Sequence, residues 1–380
     1  MLKIWARDGA RARQGILKPL DGQVLLKRSD VGGFDLTIEG STDAAEAFTR
    51  GWGIVVQEDD EFLFSGPATT IRREFTAGSH RLVLKGETDM HTLRDRNVYP
   101  SASLASGSQT SVTHWTRTNQ PGEELIVELI NQHVNSAAPL SHRRTPDFPA
   151  LVNLGRGATT TVSARWTTVL EEVQAVAAAS GLVVEVGQFN PGSPNLEARI
   201  RVPADLTRVV RFTPRKGLGD YWVELTEPGT TTVAVGGGGQ GTARTIAGYS
   251  VNDGWGGRRR EKFLDRRDTT LTSELQKTAL EHGKETAEKS SAGFTLTETA
   301  RYRLGRDFLL GDLVSVYADN EEDVELITGP VTSALLEWDG HGRTVDLRVG
   351  ENVAGASDMS LSLEKTRSLE RRLSRMEGGQ

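Results

Sequence analysis

The chain has 380 residues, a formal net charge of −6 and no cysteine. The chain is too long for a domain with one ordinary hydrophobic core, so two or three domains are predicted. The negative charge argues against bulk attraction to nucleic acid or anionic membranes, and the lack of cysteine excludes disulfides and thiolate metal sites.

The first 98 residues are predicted to form a small antiparallel β-barrel. Met1–Gln14 contains no apolar signal-peptide core, and no segment of the chain approaches the ~18 apolar residues of a membrane helix, so we expect neither feature. Apolar and polar residues then alternate with the period of half-buried strands, and Asp43–Arg50 favours a short helix. The predicted strands are Gln23–Lys27, Phe34–Ile38, Gly53–Gln57, Glu61–Ser65, Ile71–Phe75 and Arg81–Lys85.

Residues 99–257 are predicted to be an inserted α+β region. A small, polar stretch after Pro100 indicates a boundary, and the helical patterns Pro121–Val134 and Ala164–Gly181 follow. Strands are predicted at Leu182–Val186, Leu196–Val202 and Val209–Thr213.

The barrel pattern returns in residues 258–352, with a strand at Lys262–Leu264, a helix at Thr270–Lys289 and strands from Phe294 onward. Residues 353–380 favour a short C-terminal helix, in which Leu369, Leu373 and Met376 have heptad-compatible spacing and could form the seam of a trimeric coiled coil. The predicted fold is therefore mainly β, with two related small β-barrels flanking a mixed α+β region and a short C-terminal helix.

The prediction of two related barrels depends on an internal repeat. Gly53–Glu87 and Gly311–Glu351 share a Gly followed by a strand, an acidic turn, a strand ending in Gly-Pro, and a closing strand. Thr69 and Thr332 each lie two residues after the proline. Chance resemblance between hairpins is the alternative, because turns favour Gly, Pro and acids. Duplication assigns Gly311-Asp312 to a barrel corner.

No motif predicts catalysis, a cofactor or a metal. Gly236–Gly241 matches a dinucleotide-binding pattern, but a strand-like segment follows it instead of the helix that would bind pyrophosphate, so it is predicted to be a loop. The histidines lack metal-ligand spacing, and the adjacent acids Glu171-Glu172 and Asp59-Asp60 fit a helix face and a turn. Arg258–Arg267 interleaves arginines with acids, which favours a salt-bridged surface over nucleic-acid binding.

The order of several segments resembles the minor tail proteins of actinobacterial siphophages that act as tail-tip or baseplate hubs. The segments are DVGGFDLTIEG, KGETDMHTLRDRNVYP, VAVGGGGQGTAR, REKFLDRRD and YRLGRDFLLGDLVSV. The resemblance implies a hub similar to the central hub protein of contractile-tailed phages, a homotrimer with two related barrels in each chain. Some relatives carry a C-terminal peptidase or lysin domain, whereas this chain stops after a short helix, so no enzymatic activity is expected.

Such a hub would be a virion structural protein assembled in the host cytoplasm. It would adapt a sixfold tail tube to a threefold tip, with the tail-tube or distal tail protein above and tail-fibre or tip proteins below. Genome DNA would cross its channel without specific binding. The acidic turns Glu58, Asp59, Asp60 and Glu61, and Glu321, Glu322 and Asp323, are predicted to line that channel or its mouth.

Two other functions remain open from the sequence. A receptor- or carbohydrate-binding tail module would present aromatic platforms, but the tryptophans are scattered and Trp166 opens a helix that is predicted to pack in the core. Glycan-array binding would test that alternative. A cell-wall hydrolase is the second alternative, and a zymogram on host cell wall would test it.

Overall fold

The computed structural model describes residues 2–76, 78–267, 269–296, 301–322, 324–339 and 342–350. Two compact units are present: Met1–Tyr221 together with Gly293–Val349 form the first, and Trp222–Ala292 belong to the second. The predicted C-terminal helix with Leu369, Leu373 and Met376 lies outside the described residues, as does Asp323 of the second acidic turn.

Strands dominate the chain, and the mainly β fold class is confirmed. The strands are β1 (Leu2–Arg7), β2 (Arg13–Leu17), β3 (Pro19–Lys27), β4 (Gly33–Glu39), β5 (Gly53–Glu58), β6 (Glu61–Thr76), β7 (Ser79–Glu87), β8 (Trp115–Pro121), β9 (Thr159–Ala164), β10 (Val183–Gly187), β11 (Glu197–Arg201), β12 (Arg211–Phe212), β13 (Leu218–Thr226), β14 (Thr232–Gly236), β15 (Ile246–Ser250), β16 (Glu261–Asp265), β17 (Lys289–Leu296), β18 (Leu313–Tyr317), β19 (Glu325–Asp339) and β20 (Gly342–Gly350). The helices are α1 (Asp43–Ala47), α2 (His91–Arg94), α3 (Gly122–His133), α4 (Val169–Ser180) and α5 (Thr272–Glu285).

One large sheet contains the same strand order twice. The order β3-β4-β7-β6-β5 in the first copy is repeated as β13-β17-β20-β19-β18 in the second. The second copy therefore takes its first strand from before residue 258, where the sequence pattern placed its beginning. Among the described residues the strands form open sheets, and no closed barrel is found.

The pairing registers match between the copies. Pro67 pairs with Gly53 in the first copy, and Pro330 pairs with Leu313 in the second. Thr69 and Thr332 are the extra residues of equivalent β-bulges, and each hydroxyl donates a 3.3 Å hydrogen bond to a carbonyl oxygen of the closing strand. Because a bulge fixes the register and bends the strand, its preservation confirms the predicted repeat of hairpins.

One detail of the predicted repeat is wrong. The register makes Leu313 the counterpart of Gly53, so the counterpart of Gly311 is Gly51. Gly51 and Gly311 both have left-handed backbone, with φ of 79° and 94°, which an L side chain rarely adopts. The residue after each glycine accepts a backbone hydrogen bond from the residue after the proline. The turn geometry, and not the letter match Gly53-Gly311, is the repeated feature.

The α+β part of the first unit has its own apolar core. It is built on α3, α4, the pair β8-β9 and the pair β10-β11, and Leu125, Ile130, Val169 and Val173 are fully buried in it. Thr168 caps α4 in a capping box with Glu171. The core confirms the predicted apolar faces of both helices.

Trp166 was predicted to open the core-packed helix, but α4 begins three residues later, at Val169. The residue precedes α4 with φ of 63°, its side chain is exposed, and its ring tilts against Tyr99 at a centroid distance of 5.0 Å. A positive φ turns the side chain away from the direction that helical periodicity assumed.

The second unit is smaller. Its strand β14 lies between β15 and β16, and α5 packs Leu275 and Ala279 against Val233 and Val235. The glycines after β14 form a loop, as predicted, with Gly239 in left-handed backbone. No helix in the described part of the chain is long and apolar enough to cross a membrane.

Candidate functional site

The first acidic turn is a tight hairpin whose acids make ion pairs. Glu58 and Glu61 close the hairpin, and Asp59 and Asp60 occupy its two central positions with φ of 49° and 69°, as a type I′ turn requires. Asp60 accepts a 2.6 Å bond from Lys3, which lowers the pKa of Asp60 below its ordinary value. Arg303 forms an ion pair with Asp59, and Arg343 forms one with Glu58.

The second acidic turn is also neutralised in part. Glu322 accepts from Lys216 at 2.7 Å and from Arg211 at 2.5 Å, and these two bonds hold its pKa below the ordinary value. Glu321 is exposed at the turn surface. Each tip therefore carries less net charge than its acids alone indicate, because local cations pair with Glu58, Asp59 and Asp60 in the first turn and with Glu322 in the second.

The two copies of the repeat are joined by direct strand pairing. Residues Ser333 to Trp338 of β19 pair antiparallel with residues Lys27 to Gly22 of β3. A Cβ atom placed on Gly22 would come within 2.9 Å of the Trp338 ring, so the glycine leaves the space that the indole occupies. Glu58 of the first copy and Arg343 of the second add an ion pair between the copies. This junction is a defined contact between two equivalent structural repeats.

A buried ion pair joins the first repeat to the α+β region. Arg7 donates two hydrogen bonds to Asp89, at 2.6 and 2.8 Å, and Ser65 donates a third at 2.6 Å. Arg7 also donates to Gln188, the residue that follows β10. Burial would raise the pKa of Asp89, but the Arg7 guanidinium and the Ser65 hydroxyl outweigh burial and lower it.

A second buried carboxylate, Asp312, joins the second repeat to the same region. It accepts from Arg201 of β11 at 2.5 Å, from the Ala204 amide at 2.9 Å and from the Leu309 amide at 2.8 Å. The Gly311-Asp312 corner is thus an anchor for β11 as well as a turn before β18. Neither Asp89 nor Asp312 was singled out as a binding residue from sequence, although both lie in the segments that carried the family resemblance.

The first unit also contains a cavity of about 690 Å³ between β6, β10 and β11. Phe62, Phe64, Phe189, Arg199 and Glu185 are among the residues that line it. The Glu185 side chain is exposed to solvent, but the protein atoms around its carboxylate desolvate it, and this raises its pKa to about 7 against the opposing effect of Arg199. The perturbed pKa of Glu185 could not be predicted from the sequence, because the residues around it come from distant segments.

The chemistry available in these sites is that of contact and anchoring. Guanidinium, ammonium, hydroxyl or amide donors hold Asp60 and Glu322 of the tips and the two buried anchors, Asp89 and Asp312. In the described residues, no cluster of three or more His, Asp or Glu side chains could hold a metal ion. The strand junction and its Glu58-Arg343 ion pair are accordingly the best-defined candidate feature in the described residues.

Comparison with solved structures shows the same fold in tail proteins. The 43 kDa tail protein of prophage MuSo2 from Shewanella oneidensis matches with a TM-score of 0.57 and 14% identity, covering 91% of this chain and 97% of that one. A tail protein from Neisseria meningitidis MC58 gives 0.55 and 15%, covering 92% and 97%. Prophage tail protein gp18 from Listeria monocytogenes EGD-e gives 0.53 and 10%, covering 96% and 98%.

At these identities the likeness establishes the fold alone. No curated protein sequence matches the chain. The model of the family described as Siphovirus ReqiPepy6 Gp37-like protein, however, matches residues 1–351, which is nearly the whole chain. This match agrees with the siphophage resemblance of the sequence segments, and the chain belongs to the Siphovirus ReqiPepy6 Gp37-like family.

Proposed function

We propose that the chain is a structural protein of the phage tail that assembles as a homotrimeric hub at the tail tip or baseplate. The observation that carries the proposal is the repeated strand order, whose two copies are paired through β3 and β19. Three chains with two equivalent copies each would present six similar surfaces to a sixfold tube and three whole chains to a threefold tip. Each repeat would act as one barrel-like body of that ring.

In this assembly the tail-tube or distal tail protein lies above the hub, and tail-fibre or tip proteins lie below. The hub is part of the virion and is put together in the host cytoplasm. Family membership and the shared fold of solved tail proteins support this role, and the role needs no catalytic step.

The decisive experiment measures mass and symmetry together. Light scattering of the purified chain should give three times the 41.3 kDa chain mass, and particle images with the tail-tube protein should show the hub capping the tube. The tube protein alone is the control. A chain that stays monomeric at all concentrations and does not bind the tube would contradict the proposal.

We also propose that the two acidic turns occupy equivalent places around the channel. Glu61 and Glu321 are exposed and make no ion pair within the described residues, so they can present charge to passing DNA without a cost to folding. Phage carrying Glu61→Lys and Glu321→Lys should assemble but deliver DNA poorly. The matched control carries Gln at both positions, and equal delivery by the Lys and Gln phage would refute the channel position of the turns.

For the C-terminal segment we propose a trimeric helix whose seam is Leu369, Leu373 and Met376. A helix of this length adds modestly to assembly, because isolated short helices are marginal in water. Deletion of residues 360–380 should therefore weaken the trimer on dilution, as measured by light scattering. An unchanged trimer would assign assembly to the repeats alone.

A further inference from the structure

The two copies of the repeat differ in the neighbour of their longest strand. In the second copy, β19 lies between β20 and β3 along residues Ser333 to Trp338. In the first copy, β6 pairs with β7 along the equivalent residues Thr70 to Phe75, and the described strands provide no second neighbour there. The first copy therefore presents an open strand edge at the position where the second copy holds β3.

Residues on the open part of β6 are more exposed to solvent than their counterparts in β19. Ala334, Leu335 and Leu336 of β19 are buried, whereas Arg72, the counterpart of Leu335 in β6, is exposed. Phe75, the counterpart of Trp338, stacks on His80 and is still 70% exposed, whereas Trp338 is half-buried over Gly22. An aromatic ring left in solvent at the position of a packed one indicates a missing neighbour.

The strand that could supply this neighbour is β13. It is the second copy's counterpart of β3, and in the sheet it pairs with β17 on one side only, as far as the described residues show. A Cβ on Gly22 would lie 3.2 Å from the Asp35 carbonyl oxygen, and one on Gly219 would lie 3.0 Å from that of Thr295. Gly219 is thus the equivalent of Gly22.

Two residues after each glycine, the burial of the side chain differs between the two strands. Val24 of β3 is 1% exposed, while its counterpart Tyr221 in β13 is 45% exposed. A strand edge with an exposed aromatic residue is a surface to which another strand can be added through main-chain hydrogen bonds.

We propose that the open edge of β13 in one copy of the chain pairs antiparallel with the open edge of β6 in the next copy. The pairing repeats between chains the β3-β19 junction that exists within the chain. It rests on the proposed hub, because it supplies the contact between protomers. Each chain offers one edge of each kind, so the contact is heterologous, and in the proposed trimer it closes into a ring instead of a pair.

The register of the internal junction fixes the register between chains. Gly219 lies opposite Phe75, as Gly22 lies opposite Trp338, and the glycine again leaves space for an aromatic ring. Tyr221 lies opposite Arg73, and its ring provides a face for the guanidinium. Asp220 lies opposite Glu74, whose carboxylate is already paired with Arg72 and so repels it weakly.

Engineered cysteines test the contact directly, because the chain contains no cysteine of its own. The full-length Asp220→Cys/Glu74→Cys variant should form covalent dimers and trimers under mild oxidation, seen on a non-reducing denaturing gel. Each single variant should stay uncrosslinked alone, and an equimolar mixture of the two should stop at dimers. The control pair, Asp220→Cys/Ser79→Cys, places the second cysteine on the neighbouring strand and should not crosslink.

A second measurement covers the case in which the cysteines disturb folding. Phe75→Asp should weaken self-association by about tenfold or more in light scattering, since a buried aromatic anchor is lost. Val152→Asp, at an exposed apolar residue elsewhere, should leave association unchanged.

The outcomes separate this inference from the proposed hub. A trimer without the Asp220-Glu74 crosslink, and with association unaffected by Phe75→Asp, overturns the strand pairing and leaves the hub standing. A chain that is monomeric as wild type overturns both.

Discussion

Replacing Asp89 by asparagine should be among the most destabilising single changes in the first unit. The Arg7 and Asp89 side chains are 4% and 2% exposed, and the two parallel bonds between them are 2.6 and 2.8 Å long. The asparagine amide could still accept a bond, but the Arg7 charge would remain buried without a counter-charge. Breaking such a pair costs about 3–5 kcal/mol, against about 0–1 kcal/mol for an exposed pair.

Urea unfolding of the full chain would measure this cost. The matched control is Asp35→Asn, whose partner Lys85 is equally close, at 2.6 Å, but solvent-exposed. The excess cost of Asp89→Asn should be present above the ordinary carboxyl pKa of about 3.9 and shrink as pH falls through the lowered pKa of Asp89. If both variants lose the same small free energy at pH 7, the buried pair does not anchor the α+β region.

Three further changes probe other parts of the structure. Burial, together with Arg143, lowers the pKa of His133 to about 3, so unfolding free energy should fall by up to ~1.4 kcal/mol per pH unit below pH 6.5, and His133→Gln should flatten that slope in pH-dependent urea melts. Because the pKa of Glu185 is raised to about 7, Glu185→Gln should raise stability at pH 8 by about 1 kcal/mol, a value discounted for the solvent exposure of the side chain, and by little at pH 5; an equal gain at both pH values would refute the raised pKa. Gly22→Ala should cost about 1–3 kcal/mol through the close approach of Leu36 and Trp338, whereas Gly107→Ala, where a Cβ meets open space, should cost less than about 1 kcal/mol in the same melts.

Local sequence signals were sufficient for the hairpins. The Gly-Pro pairs and the threonines two residues later predicted equivalent strands, and the structure gives both threonines the same bulge and the same hydrogen bond. Acidic residues between the strands predicted the turns, because Asp tolerates the positive φ that a two-residue hairpin needs. The predicted equivalence of Gly53 and Gly311 was wrong because the register of a strand depends on its pairing across the sheet, which residue identity alone does not specify.

Contacts between distant segments could not be predicted. The partners of Glu58 and Asp59, which are Arg343 and Arg303, lie far along the chain from the turn. The same is true of the Arg7-Asp89 pair. A charged turn is predicted from sequence to be solvated, because the cations that pair with it come from distant segments. Hydrophobic periodicity predicts which residues are buried, but not which residues they contact.

The pairing of β3 with β19 also affects how the chain folds. The paired residues are about 300 positions apart, so this contact forms at a high cost in loop entropy and belongs to the slow, non-local class. During synthesis, β3 emerges before β19, which follows only after about 300 further residues. Until then β3 presents an open edge carrying Val24 and Leu26, and nascent chains held at this stage should be prone to aggregation.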